Sequence, residues 1–218
     1  DADIEKTVEN LVDGSFFNSG QSCCGVERIY VHEHCYDDFL NLLVSETKKL
    51  KVGDPRDKDT YLGPMAKQSG LQHVLGQVDL AMKNGAKPLI EAENISLHVK
   101  EQYLRPEVFV NVNHEMDLMK EETFGPVVGV MKVSSDEEAL KLMNDSQYGL
   151  TASLWTKDKE RAIHLGQQIE TGTVMMNRCD YVDPELAWTG VKETGIGFAL
   201  SELAINVFTK PKSFLLMK

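Results

Sequence analysis

Residues 127–176, VVGVMKVSSDEEALKLMNDSQYGLTASLWTKDKERAIHLGQQIETGTVMM, decide how the chain folds. Val127-Val128-Gly129-Val130-Met131 is short and β-branched, the pattern of a buried strand. Ser135 followed by Asp136, Glu137 and Glu138 caps a helix that runs through Leu140 and Met143. A strand near Leu150 to Trp155, a helix from Lys159 to Glu170 and a strand from Thr173 to Met176 follow. Parallel strands need a crossover of helical length between them, and this alternation supplies one each time. The pattern predicts an α/β fold, a mainly parallel sheet with flanking helices whose ligands gather beyond the strand ends.

The same reading extends toward the N-terminus. Val108-Phe109-Val110 is a further strand. Asp3 to Phe17 places Ile4, Val8, Leu11, Val12 and Ser15 at helical spacing, and turn-rich Asn18 to Ser22 ends that helix. Arg28-Ile29-Tyr30-Val31 reads as a strand, so Cys23 and Cys24 sit between helix and strand. Phe39, Leu42, Leu43 and Leu50 form one face of a helix ending in basic Lys48 and Lys49. After the loop Gly53 to Asp59, Gly63-Pro64 leads into a helix carrying Leu71, Val74, Leu75, Val78, Leu80 and Ala81, stopped by Asn84-Gly85. No repeat, low-complexity tract or linker interrupts the chain. It divides into one principal domain, 1–206, and a tail, 207–218, in which Phe208 to Leu216 reads as a separate strand.

Composition narrows the ligand. With 23 Lys and Arg against 34 Asp and Glu, the net charge of -11 leaves no basic stripe to neutralise phosphates. Nucleic acid and anionic membranes are therefore poor partners, and a small molecule is expected. No apolar run approaches the roughly 18 residues of a membrane span, and the first residues lack a secretory leader's pattern. Four irregularly spaced cysteines do not make a disulfide framework, so a reducing, cytoplasmic setting is expected. The triplets Asn94-Ile95-Ser96 and Asn144-Asp145-Ser146 match the glycosylation pattern, which the cysteine usage argues against.

Cys23 is the leading chemical group, because a thiol in a glycine-bearing loop can be met by a carbonyl and by backbone N–H donors together. Free cysteines are more often buried and inert, so the surrounding residues must decide. Phe16-Phe17-Asn18-Ser19-Gly20-Gln21-Ser22-Cys23-Cys24 resembles the active-site signature of the aldehyde dehydrogenase superfamily. Four further stretches resemble that family in its order: Glu121-Glu122-Thr123-Phe124-Gly125-Pro126-Val127, Asn144 to Ala152, Gly172 to Asn177, and Gly190 to Gly195. The resemblance implies that Cys23, not Cys24, is the nucleophile. It implies a cysteine thiohemiacetal and then a thioester, with hydride passing to NAD or NADP and water releasing the acid. It makes Glu122 the ligand to the nicotinamide ribose hydroxyls, Phe124 the aromatic beside that ribose, and Val182 and Trp188 walls of the substrate tunnel. It also implies a homo-oligomer, a dimer or tetramer, with 207–218 as the strand that pairs across subunits.

Departures from the family pattern carry expectations of their own. Gly197-Phe198-Ala199-Leu200-Ser201 replaces the family's Gly-Arg-Glu-Leu-Gly, so Ala199 stands where a relay carboxylate would be. Thr189-Gly190 replaces Gly-Gly, which suggests a different subfamily. Relatives are about twice this length, and the resemblance places the dinucleotide fold, the oxyanion amide and the general-base glutamate ahead of Asp1. The 218 residues by themselves are therefore expected not to transfer hydride efficiently, and a mitochondrial leader would also precede them. A non-enzymatic structural relative and a CoA-acylating relative are the alternatives. His32-Glu33-His34-Cys35 offers metal-compatible groups, but neighbours in an extended segment point to opposite faces, and no metal site is expected. Met143, Met175 and Met176 read as core. Asn177 reads as a structural strand end that bonds loop backbone.

Overall fold

Helix α1 (Ile4–Phe16) starts where the Asp3 carboxylate accepts the Lys6 N–H at 3.3 Å, and it buries Val8, Leu11, Val12 and Phe16 along one stripe. The structure, a computed structural model, describes residues 1–90 and 98–218. After α1 come β1 (Arg28–His32), α2 (Tyr36–Thr47), α3 (Gln68–Lys83) and β2 (Lys87–Pro88). Next are β3 (His98–Lys100), β4 (Tyr103–Leu104), β5 (Glu107–Val110), β6 (Val127–Val133) and α4 (Asp136–Asn144). The chain continues through β7 (Tyr148–Gly149), β8 (Thr151–Leu154), α5 (Lys159–Gly166) and β9 (Thr173–Met176). It ends with β10 (Trp188–Thr189), β11 (Val191–Lys192), β12 (Phe198–Ala199) and a 3-10 turn at Glu202–Phe208.

The main sheet has the order β1-β6-β5-β2, with β1 and β5 parallel to β6 and the short β2 antiparallel at one edge. Val127 and Phe109 point into a core with Leu71, Val74, Val78 and Ala81 of α3. Val108, Val128 and Val130 point the other way, against Val8, Leu11 and Phe16 of α1 and Phe39 and Leu43 of α2. Burial on both faces explains why β6 is a continuous apolar run instead of an alternating one. A second parallel pair, β8 and β9, stands beside this sheet. One edge of β1 and one edge of β8 have no strand partner among the described residues, and both strands line a cleft of about 900 Å³.

Polar bridges join the two parts. Thr156 Oγ1 donates to the Asp1 carboxylate at 2.9 Å, and Arg161 clamps Asp136 through two 2.6 Å bonds. Lys192 Nζ donates to the Asn144 and Ser146 carbonyls at 2.8 and 2.9 Å. Asn177 behaves as expected of a strand end: its amide accepts from Thr156 N–H at 3.1 Å and donates to Thr156 O at 2.8 Å.

Several boundaries differ from the sequence reading. Helix α2 stops at Thr47, so Leu50 packs from beyond its end, and Leu80 lies on the exposed side of α3. Helix α5 ends at Gly166, short of Glu170, because the Asn144 side chain captures Gln168 O and Glu170 N, each at 2.8 Å. That amide is thus committed to backbone, while the triplet at Asn94 lies outside the described residues. Residues 209–218 form no strand, and Phe214, Leu215, Leu216 and Met217 are exposed.

Candidate active site

Three consecutive residues in the left-handed region, Asn18 (φ 51°), Ser19 (φ 58°) and Gly20 (φ 71°), swing the chain away from the end of α1. Each non-glycine residue there costs about 1–2 kcal/mol, so local bonds must hold the turn. Ser19 Oγ donates to Gly63 O at 2.9 Å, Gln21 Oε1 accepts the Ala66 N–H at 2.8 Å, and Val26 N–H donates back to Gly14 O at 2.9 Å. The loop so fixed leaves Cys23 exposed and Cys24 buried, both beside the cleft. Cys24 Sγ donates to Asp180 Oδ1 at 2.9 Å, and Ser22 Oγ donates to the same oxygen at 2.8 Å. Burial first, and the Asp180 bond second, push the Cys24 thiol up to about 12. Of the two adjacent thiols, Cys24 is held protonated and Cys23 is the accessible one.

A second loop, Glu121 to Pro126, meets the first. Phe124 is left-handed (φ 51°), and the Glu27 carboxylate accepts the Thr123 and Phe124 N–H groups at 2.9 and 3.1 Å. Burial pushes the Glu27 carboxyl above its ordinary value, with the two N–H bonds acting against that shift. Gly20 packs directly on this loop: a Cβ built there would stand 2.2 Å from Gly125 O. Glu122 is exposed at the rim of the Cys23 cleft and of an adjoining cavity of about 530 Å³. In that cavity His73 Nε2 donates to Glu122 O at 3.0 Å, and both amide atoms of Gln77, 6% exposed, have no partner among the described residues.

The loops precede β1 and β6, and Asp180 follows β9. The site therefore lies at the amino ends of two parallel strands and the carboxyl end of a third. Cys23, Glu122 and Trp188 line one cleft; Val182, 45% exposed, and Phe124 stand off its lining. Sequence reasoning missed Glu27 and Asp180. Asp180 reaches Cys24 across 156 positions, a separation no local pattern reveals, whereas a carboxylate opening an apolar strand at Glu27 was a legible signal. His32 and His34 stack at 4.8 Å, yet the described residues hold no cluster of three metal-binding groups.

Comparison with known proteins gives a match of residues 1–214 to the aldehyde dehydrogenase family. The chain belongs to that family. It is 35% identical over 98% of its length to "Aldehyde dehydrogenase X, mitochondrial" of Bos taurus and 36% identical over 98% to "Retinaldehyde dehydrogenase 3" of Homo sapiens. It spans 41% of the length of each. Among solved structures, betaine aldehyde dehydrogenase from Staphylococcus aureus in complex with NAD+ superposes with a TM-score of 0.88 at 30% identity, over 95% of this chain and 42% of that one. This aldehyde dehydrogenase chain thus has the family's α/β fold, and no helix among its described residues is long and apolar enough to cross a membrane.

Proposed function

We propose that this chain carries the nucleophile and the ribose-binding acid of an NAD(P)-dependent aldehyde oxidation. The observation that carries the reading is the division of labour between adjacent cysteines, with Cys23 open to a cleft and Cys24 buried on Asp180. Cys23 as thiolate adds to the aldehyde carbonyl, forming a C–S bond and moving the carbonyl electron pair to oxygen. The N–H groups of Cys23 and Cys24 bond no backbone carbonyl among the described residues, which leaves them able to stabilise that oxyanion. NAD or NADP, when bound, supplies the hydride acceptor. Water then cleaves the thioester on Cys23, releasing the carboxylic acid and the thiol.

The donor set suits the cofactor. Glu122 offers an exposed carboxylate of the kind that accepts two ribose hydroxyls, and the Gln77 amide in the adjoining cavity, without a partner among the described residues, can meet a polar group or water. Phe124, beside Glu122 on the same loop, is the aromatic neighbour of that ribose. Trp188, with Val182 farther out, is the apolar wall that favours medium-sized, partly apolar aldehydes. The exposed apolar tail, 207–218, is the strand that pairs between subunits of a dimer or tetramer. The relatives are more than twice as long as this chain, and we attribute the dinucleotide fold and general base to residues outside these 218.

The test is aldehyde-dependent NAD(P)H formation by the protein at its natural length. Cys23→Ser abolishes it and Cys24→Ser retains a measurable rate; full activity of Cys23→Ser overturns the assignment. The 218 residues alone produce NAD(P)H far more slowly than the longer protein, and equal rates would sink that part of the reading.

A further inference from the structure

Glu27 lies four residues beyond Cys23, on the segment that enters β1, yet its carboxylate is spent on the other loop of the site. Oε2 accepts the Thr123 N–H at 2.9 Å and Oε1 accepts the Phe124 N–H at 3.1 Å. Two successive N–H groups converging on one anion form a backbone nest, a concavity that binds negative charge. Phe124 at φ 51° supplies the left-handed half of that nest, a conformation a phenylalanine does not adopt without support. Burial disfavours the charged carboxyl and the neighbouring Glu122 charge adds to that, while the Thr123 and Phe124 N–H bonds favour it.

We propose that Glu27 is a positioning residue that fills the Thr123–Phe124 nest and thereby sets Glu122 and Phe124 for the cofactor ribose. This rests on the assignment of Glu122 and Phe124 to the cofactor. Because β1 and β6 pair in parallel, with Arg28 opposite Gly129, Glu27 also fixes the distance between the nucleophile loop and the cofactor loop. No contact of Glu27 with substrate or cofactor is involved; it acts through the shape of the Glu121–Pro126 loop.

Glu27→Gln and Glu27→Ala test this in the protein at its natural length. Glutamine has one acceptor oxygen for two N–H groups and turns a donor toward the second. In Glu27→Gln, amide hydrogen exchange at Thr123 or Phe124 accelerates about tenfold, and in Glu27→Ala at both. The NAD(P)+ dissociation constant rises about tenfold or more, as for loss of a group that orients a ligand-binding side chain. Unchanged exchange in both variants overturns the proposal. Faster exchange with unchanged NAD(P)+ affinity overturns it too, reducing Glu27 to a structural prop. Thermal midpoints serve as the folding check, with the isosteric glutamine keeping the fold should the alanine variant lose it. A wild-type protein that binds neither NAD+ nor NADP+ overturns the cofactor assignment of Glu122; loss of protection in the variants would then still support Glu27 as the residue that shapes the loop, and unchanged protection would overturn that as well.

Discussion

At Cys23 and Cys24, two identical side chains one position apart have opposite surroundings, the first exposed and the second buried. Burial and the Asp180 bond push the Cys24 thiol up to about 12, which disfavours the reactive thiolate. Iodoacetamide followed by peptide mass spectrometry is expected to label Cys23 and spare Cys24; preferential labelling of Cys24 would reverse their roles. Asp180→Ala removes the acceptor shared by Cys24 and Ser22. Its measurable sign is a Cys24 alkylation rate that rises at least severalfold, while Asp180→Asn, which keeps the accepting oxygen, changes it less. The glycine-bearing loop and its motif single out Cys23 in the sequence, and the structure leaves it exposed beside the cleft. Nothing local marks Asp180, because its role exists only once the segment after β9 folds back on the start of β1. Phe124 and Val182 were legible as family positions, yet their places off the cleft lining follow from a left-handed turn and from loop packing.

Among elements, those with a cap and an apolar stripe were read well. Ser135 caps α4 by accepting the Glu138 N–H at 3.2 Å, and the Glu138 carboxylate accepts the Ser134 N–H at 2.7 Å. Ser135→Ala is expected to cost about 1 kcal/mol, seen as a fall of about 2–4 °C in thermal midpoint. No change in midpoint would mean that the cap is replaced by solvent. Strand β9 matched its reading because β-branched residues lie between clear turn signals, whereas α5 was overread by a turn. Its true end is set by Asn144, a side chain from another helix, and such tertiary capture leaves no trace in periodicity. Asn177 joins the ends of β8 and β9 through both amide atoms and holds φ 54°, which asparagine tolerates. Asn177→Ala loses both bonds and the tolerated backbone, so its destabilisation exceeds that of Ser135→Ala in chemical denaturation; a smaller effect would contradict the joint's importance.

For the molecule as a whole, the main sheet and its two cores follow from apolar runs that any reader of the sequence can find, while the standing of β8 and β9 beside it rests on scattered polar bridges. The charged contact of Asp145, just past α4, has a pH signature of its own. The hydrogen bond from His114, with Lys120 nearby, holds the Asp145 carboxyl below its ordinary value. A depressed carboxyl adds stability above its unfolded value that is lost as pH falls through the folded one. Asp145→Asn is therefore expected to melt below wild type at pH 7, by about 2 °C at most because the Asp145 side chain is half exposed, with the gap closing below about pH 4. A gap that widens on acidification would contradict this sign. The contact of Gly20 with Gly125 O has a longer reach. Backbone meets backbone there, with no side chain between to absorb a change. The loop that bears the thiol and the loop read as gripping the dinucleotide are thus a mated pair, and any lengthening of one must be matched by the other.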